Sequence, residues 1–201
     1  MIFYKRFLDL FLVIFFLPFI ILLFIFVVIY LKITIRNSIF FVQDRAGFKG
    51  KPFKLYKFRT MANSNVKKSN FESEKKRVLK STYFLRLLKL DEIPQFLNVV
   101  KGDITLVGPR PLLLEYNDLY NPEQKKRLNV IPGLTGWAQI NGANNISWKK
   151  KFELDIYYVE NMSIVLDLKI IFLTIFHIIK KVLKGSDPKE NIIGEKFNGK
   201  N

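Results

Sequence analysis

The feature that most constrains this chain is an apolar run near its start, FLDLFLVIFFLPFIILLFIFVVIYL, residues 7 to 31, broken only by Asp9. About 20 apolar residues are enough to span a bilayer, so this segment belongs in a membrane. A secretory signal peptide is a poor match, because its apolar region would be shorter and no small-residue cleavage site follows. Two membrane arrangements remain open: a helix that crosses, and a re-entrant helix that breaks midway and leaves by the face it entered. Pro18, near the middle, removes a backbone hydrogen bond and predicts a kink. Basic residues flank both ends, Lys5 and Arg6 before and Lys32 and Arg36 after. Basic flanks prefer the cytoplasmic side, and here both ends ask for it.

The remaining composition narrows the class. The 201 residues suit one domain with some extra, and they carry 33 Lys and Arg against 17 Asp and Glu, a net charge of +16. So basic a chain seeks a polyanion: nucleic acid, anionic lipid or a phosphorylated substrate. An apolar share of 49% with 20 Phe favours the membrane. The absence of Cys excludes disulfides and thiolate metal sites, and a lone histidine, His177, leaves little room for a zinc site or a Cys/His mechanism. No P-loop or GxGxxG pattern is present.

Along the chain, residues 39–42 and 52–61 read as the strands of a hairpin, joined by DRAGFKGKP. Lys57 and Arg59 share one face of the second strand, with Tyr56 and Phe58 on the other. The polar stretch ANSNVKKSNFESEKKRV reads as a surface linker. Helices are expected over 82–89, from 91 to a cap at Gly102, over 112–119, over 122–128, and from a Ser147 cap through 161 with Lys151 and Asp155 one turn apart. PGLTGWAQ reads as a loop whose glycines permit either a tight turn against Trp137 or close approach to a ligand. In SIVLDLKIIFLTIFHIIKKVLKG a stripe of Asp167, Thr174, His177, Lys181 and Lys184 leaves most other positions apolar, which predicts an interfacial helix.

Chemistry centres on LLKLDEIPQF, residues 87 to 96. With Asp91 as N-cap, Glu92, Ile93 and Pro94 fill a first helical turn, an ordinary arrangement. The same position favours an ionised carboxylate and attracts phosphate, as a carboxylate nucleophile or an Mg²⁺ ligand requires. In VGPRP, Arg110 is held between Pro109 and Pro111. That geometry suits bidentate phosphate recognition, and it suits a rigid turn equally well. Arg86, Lys57 and Arg59 are further phosphate-clamp candidates, each of which could instead be a solvated charge.

Taken together, YKFRTM, LRLLKLDEIPQFLNVVKGDITLVGPRP, PGLTGWAQINGANN and FELDIYYVEN resemble the bacterial sugar transferase family, the monotopic phosphoglycosyl transferases. The resemblance runs over nearly the whole chain. It implies transfer of a sugar 1-phosphate from a UDP-sugar to undecaprenyl phosphate with release of UMP. It also implies Asp91 as nucleophile and metal contact and Glu92 as its dyad partner. Mg²⁺ is implied as cofactor, and Lys57, Arg59, Arg86, Arg110 and Asp155 match substrate-binding motif positions. The short form and the ending EKFNGKN resemble the branch of the family that handles N,N'-diacetylbacillosamine for protein glycans. Where family members often have Ser-Pro at the membrane break, this chain has Leu17-Pro18.

The expected fold is therefore α+β and mostly helical. Residues 1–36 form a re-entrant membrane segment, 37–184 a catalytic domain seated on the cytoplasmic face of the inner membrane, and 185–201 a polar tail. Anionic lipids and other enzymes of a glycan pathway are the further expected partners, with no role for nucleic acid.

Overall fold

The computed structural model describes residues 2–35, 38–62, 77–142, 145–185 and 196–201. Arg36, most of the lysine-rich linker and the first part of the tail lie outside them. Helix α1, Ile2–Thr34, comes first. Strands β1, Phe40–Ala46, and β2, Pro52–Phe58, pair antiparallel with Phe41 opposite Lys57 and Ala46 opposite Pro52. Helices α2, Tyr83–Leu87, and α3, Gln95–Lys101, flank a 3₁₀ turn, Leu90–Glu92. Strand β3, Thr105–Val107, runs parallel to β4, Gly133–Thr135, with α4, Pro122–Lys125, between them in sequence. Helices α5, Trp137–Ile140, α6, Trp148–Glu160, and α7, Ile164–Leu183, follow. The chain is thus mostly helical with small sheets, as its sequence leads one to expect.

Several expectations need correction. The segment 112–119 keeps only a 3₁₀ turn, Leu114–Tyr116. The glycine-bearing loop contains a strand and a helix that periodicity could not reveal at lengths of three and four residues. Its glycines serve backbone packing: a Cβ on Gly133 would lie 2.0 Å from the Gly108 nitrogen, and one on Gly136 2.1 Å from the Gly108 oxygen. Only glycine lets β4 pass this close to the end of β3. Helix α1 runs through Pro18, where the sequence predicts a kink, as one element from Ile2 to Thr34. Proline removes a single hydrogen bond, which a long helix can absorb by bending.

Helix α1 is built into the domain. Among the described residues it is the one helix long and apolar enough to cross a membrane. Yet Val13 is buried with Leu55, Val99 and Ile104, and Val27, Leu31 and Ile35 are buried with Phe58, Leu85 and Ile93. Near its start the Lys5 ammonium donates to Asp167 at 2.7 Å, to the Tyr158 hydroxyl at 2.7 Å and to the Val107 carbonyl at 2.8 Å. Asp9 accepts from the Leu106 N–H at 2.9 Å, and near the other end the Tyr30 hydroxyl donates to the Ser81 carbonyl at 2.6 Å. Between these attachments residues 14–19 are exposed.

Helix α7 inverts the usual amphipathic arrangement. The first half of its polar stripe faces the protein: Asp167 is buried, and the Thr174 hydroxyl lies 2.7 Å from that of Thr135. Its apolar face points outward, with Val165, Phe172 and Leu183 at 72%, 70% and 82% exposure. An outward apolar face this continuous suits lipid rather than water.

Candidate active site

The acidic pair owes its placement to a backbone irregularity. Lys89 adopts a left-handed conformation, φ 60°, which stops α2 and starts the 3₁₀ turn that carries Asp91 and Glu92. Such strain at a non-glycine residue is most often found at functional sites. Helix α3 opens only at Gln95, with Pro94 as its N-cap, so Asp91 is not a helix cap. Both carboxylates instead turn inward, each 8% exposed.

Basic side chains converge on Glu92 from three directions. Lys57 reaches its Oε1 at 3.1 Å from β2, Arg110 at 2.9 Å from the turn after β3, and Lys89 at 3.9 Å from the adjacent turn. Burial alone would raise the Glu92 pKa, but Lys57, Lys89 and Arg110 outweigh it and hold the carboxyl well below the usual range. Asp91 goes the other way. Its burial and the charge of Glu92 push it up, against the pull of Lys57, Lys89 and Arg86. Its Oδ1 is buried without a hydrogen-bond partner among the described residues. A buried carboxylate oxygen left unpaired is costly, which makes this atom a candidate for a ligand contact.

Buried Asn98 keeps the hairpin in register with this turn. It donates to the Lys54 carbonyl at 2.7 Å and accepts from the Tyr56 N–H at 3.2 Å, which sets Lys57 over Glu92. Burial, with Arg110 and Lys89 nearby, outweighs the attraction of Glu92 and lowers Lys57 to about 8.

The other candidates divide. Arg86 faces Asp91 electrostatically and donates to the Thr60 hydroxyl at 3.3 Å, with its Nε buried and unpartnered. Arg59 lies just past β2 and makes no bond to either acid among the described residues; its backbone N–H donates to Ile39. Asp155 is committed to Arg127, 3.0 Å away and equally buried. Arg127 also donates to the Arg110 carbonyl at 2.6 Å, so the pair backs Arg110, and both residues line the same cavity as Glu92. Sequence reasoning missed Lys89, Arg127 and Arg45, which carried no motif signal of their own. Burial and the charge of Arg110 lower Arg45 to about 10.

These groups border a cavity of about 860 Å³. Glu92, Lys89, Arg45 and Arg110 line one part, and Phe16, Ile20, Ile171 and Ile175 give it an apolar wall from α1 and α7. His177, Lys180 and Lys181 stand at the α7 side. Glu92 meets the cavity wall directly, and Asp91 lies next to it in the same turn.

No cluster of three acidic or histidine ligands occurs among the described residues. The unpartnered Asp91 Oδ1 is a hard oxygen donor of the kind Mg²⁺ accepts, and a cation held there would draw its other ligands from phosphate and water.

An apolar helix long enough to cross a membrane thus shares its core with a small domain, and a carboxylate pair sits among buried cations at a half-apolar cavity. Residues 1–181 match the model of the bacterial sugar transferase family, and the chain belongs to that family. It is 47% identical over 195 residues to the uncharacterized sugar transferase EpsL of Bacillus subtilis, covering 97% of this chain and 96% of that one. It is 39% identical over 156 residues, 72% of this chain, to the UDP-glucose:undecaprenyl-phosphate glucose-1-phosphate transferase of Escherichia coli. With the UDP-N-acetylgalactosamine-undecaprenyl-phosphate N-acetylgalactosaminephosphotransferase of Aeromonas hydrophila the identity is 35% over 181 residues, 86% of this chain. The matches span 33% and 43% of those two longer proteins.

Proposed function

We propose that this enzyme transfers a sugar 1-phosphate from a UDP-sugar to undecaprenyl phosphate through a covalent phosphosugar on Asp91. The observation that carries the reading is the unpaired, buried Asp91 oxygen beside a Glu92 saturated with cations. An Asp91 carboxylate oxygen attacks the β-phosphorus, the bond to the bridging oxygen breaks, and UMP leaves with that electron pair. A phosphate oxygen of the lipid then attacks the same phosphorus and returns Asp91 as a free carboxylate. Arg110 and Lys57 stabilise charge on the transferring phosphoryl group. Mg²⁺, held through Asp91, would neutralise phosphate oxygens.

One observation favours a second assignment: Glu92, not Asp91, lines the cavity. Its lowered pKa keeps it ionised, but the cations on Oε1 make it a poor nucleophile. Trapping the phosphosugar intermediate and mapping its site by mass spectrometry separates the two; adduct on Glu92 would sink the Asp91 assignment.

The apolar cavity wall suits a polyprenyl chain, and the net charge of +16 suits anionic lipid and both phosphorylated substrates. Attachment of both ends of α1 to one domain supports a re-entrant segment, with the domain on the cytoplasmic face of the inner membrane. Cysteines placed at positions 3 and 37 of this cysteine-free chain are then labelled only from the cytoplasmic side. Labelling from opposite faces means a crossing helix.

For the sugar, the EKFNGKN motif supports N,N'-diacetylbacillosamine in protein glycan assembly. Another UDP-sugar for capsule, exopolysaccharide or O-antigen is the alternative, and relatives named for glucose and N-acetylgalactosamine illustrate that range. A UMP-release screen over UDP-sugars with undecaprenyl phosphate tests both levels. Release with UDP-N,N'-diacetylbacillosamine alone is the expected result; release with no sugar overturns the reaction.

A further inference from the structure

The ending EKFNGKN has no part in the chemistry above, yet its phenylalanine is among the most deeply buried aromatic residues of the domain. Phe197 is 3% exposed and packs with Tyr116, Tyr120, Trp148 and Phe152. Its ring centroid lies 4.9 Å from that of Phe152, edge to face, 5.5 Å from Trp148 and 5.8 Å from Tyr120. Around it the tail closes on itself: the Asn198 carboxamide oxygen accepts from the N–H groups of Lys200 and Asn201, at 2.8 and 3.1 Å. Gly199 takes φ 86°, a conformation that favours glycine, beside Leu119.

The rings around Phe197 also hold the residue that stands behind Arg110. The Arg127 guanidinium lies 5.9 Å from the ring centres of both Tyr120 and Phe152. Its Nη1 donates to the Tyr120 hydroxyl at 3.3 Å, its Nε to Asp155, and its Nη2 to the Arg110 carbonyl. Asp155 and Phe152 are one turn apart on α6, so what seats the ring also seats the carboxylate. A continuous chain of contacts therefore joins the tail to the backbone of the arginine that faces Glu92.

We infer that Phe197 is a positioning residue: docked in the aromatic cluster, it holds the Arg127–Asp155 pair and through it fixes Arg110 against Glu92. A misplacement of about 1 Å at such a site can cost about a hundredfold in rate. The inference rests on the proposed reaction, so wild-type UMP release is the reference for every arm of the test.

The test measures single-turnover UMP release by the full-length protein and by Phe197→Ala, Arg127→Lys and the double variant, each with its thermal midpoint. Phe197→Ala slows release by about ten- to a hundredfold. Its effect and that of Arg127→Lys combine to less than the product of the two, because both act on one contact chain. If Phe197→Ala does not fold, Phe197→Leu replaces it in the same cycle. Wild-type rate in the Phe197 variant, or effects of the two substitutions that multiply independently, overturns the inference. No release by the wild type overturns the proposed reaction instead.

Discussion

Two buried ionic clusters of this protein are built to opposite specifications. In the Lys5–Asp167–Tyr158 cluster the accounting is complete. The ammonium donates three hydrogen bonds, one Asp167 oxygen takes the Tyr158 hydroxyl at 2.6 Å, and the other takes Lys5 and the hydroxyl of Tyr4. In the cluster at Asp91 and Glu92, Glu92 takes the ion pairs from Lys57, Lys89 and Arg110, and Asp91 keeps an unpaired oxygen. The first cluster ties three helices together. The second leaves a desolvated carboxylate unsatisfied in the resting protein, a state that an incoming phosphorus centre or cation would relieve. A protein interior can hold charge either way, and the two clusters differ in whether their carboxylates are fully hydrogen-bonded.

The contrast can be broken most decisively at Asp91. Asp91→Asn is expected to lower UMP release about a thousandfold or more while leaving the thermal midpoint unchanged or higher. The folded-state pKa of Asp91 lies above its ordinary value, so ionising it costs stability as pH rises through that pKa, and the amide escapes this cost. A large fall in midpoint would show that Asp91 supports the fold instead. Lys5→Met should do the reverse, costing about 3–5 kcal/mol of stability because Asp167 is left buried without its counter-charge. Thermal unfolding in detergent reads that loss, and UMP release measured well below the midpoint should persist.

Glu92→Gln tests the clamp between these extremes. A loss of about ten- to a hundredfold in rate is expected, since the cations survive but lose their organising charge. The smallest effect is in the pH profile. Release should rise as Asp91 ionises, above the usual aspartate range, and fall as pH passes about 8 and Lys57 loses its proton. Lys57→Arg should remove the alkaline fall, because arginine stays charged there. An unchanged alkaline limb in that variant would assign the limb to another group.

The sequence made the hairpin, the Gly102 and Ser147 caps, the apolar segments and the Asp91–Glu92 pair legible. Each rests on local physics: strand alternation, a left-handed glycine, a serine oxygen, a long hydrophobic run. The role of Asp91 as a helix cap was misread because Lys89, an unremarkable residue in the sequence, takes a left-handed backbone and postpones the helix to Gln95. The partner of Asp155 was invisible for another reason. Arg127 is 28 positions away and meets it only through the packing of α6 on the turn after α4. The polar stripe of α7 was legible as a stripe, but the inward orientation of its first half depended on contacts with Lys5 and Thr135 that no local pattern encodes.

The way α1 shares its core with the domain bears on how such an enzyme can be handled and how it can diversify. Val13, Val27 and Leu31 are interior residues of the same structure that carries the acidic pair. Cutting the chain after the membrane segment would remove one wall of that interior and open Phe58, Leu85 and Val99 to water. A soluble truncation is therefore a different, aggregation-prone molecule rather than the same catalyst released from its anchor. Nor can the anchor be exchanged for an unrelated apolar helix, since lipid-facing and core-facing positions are written into the same 33 residues.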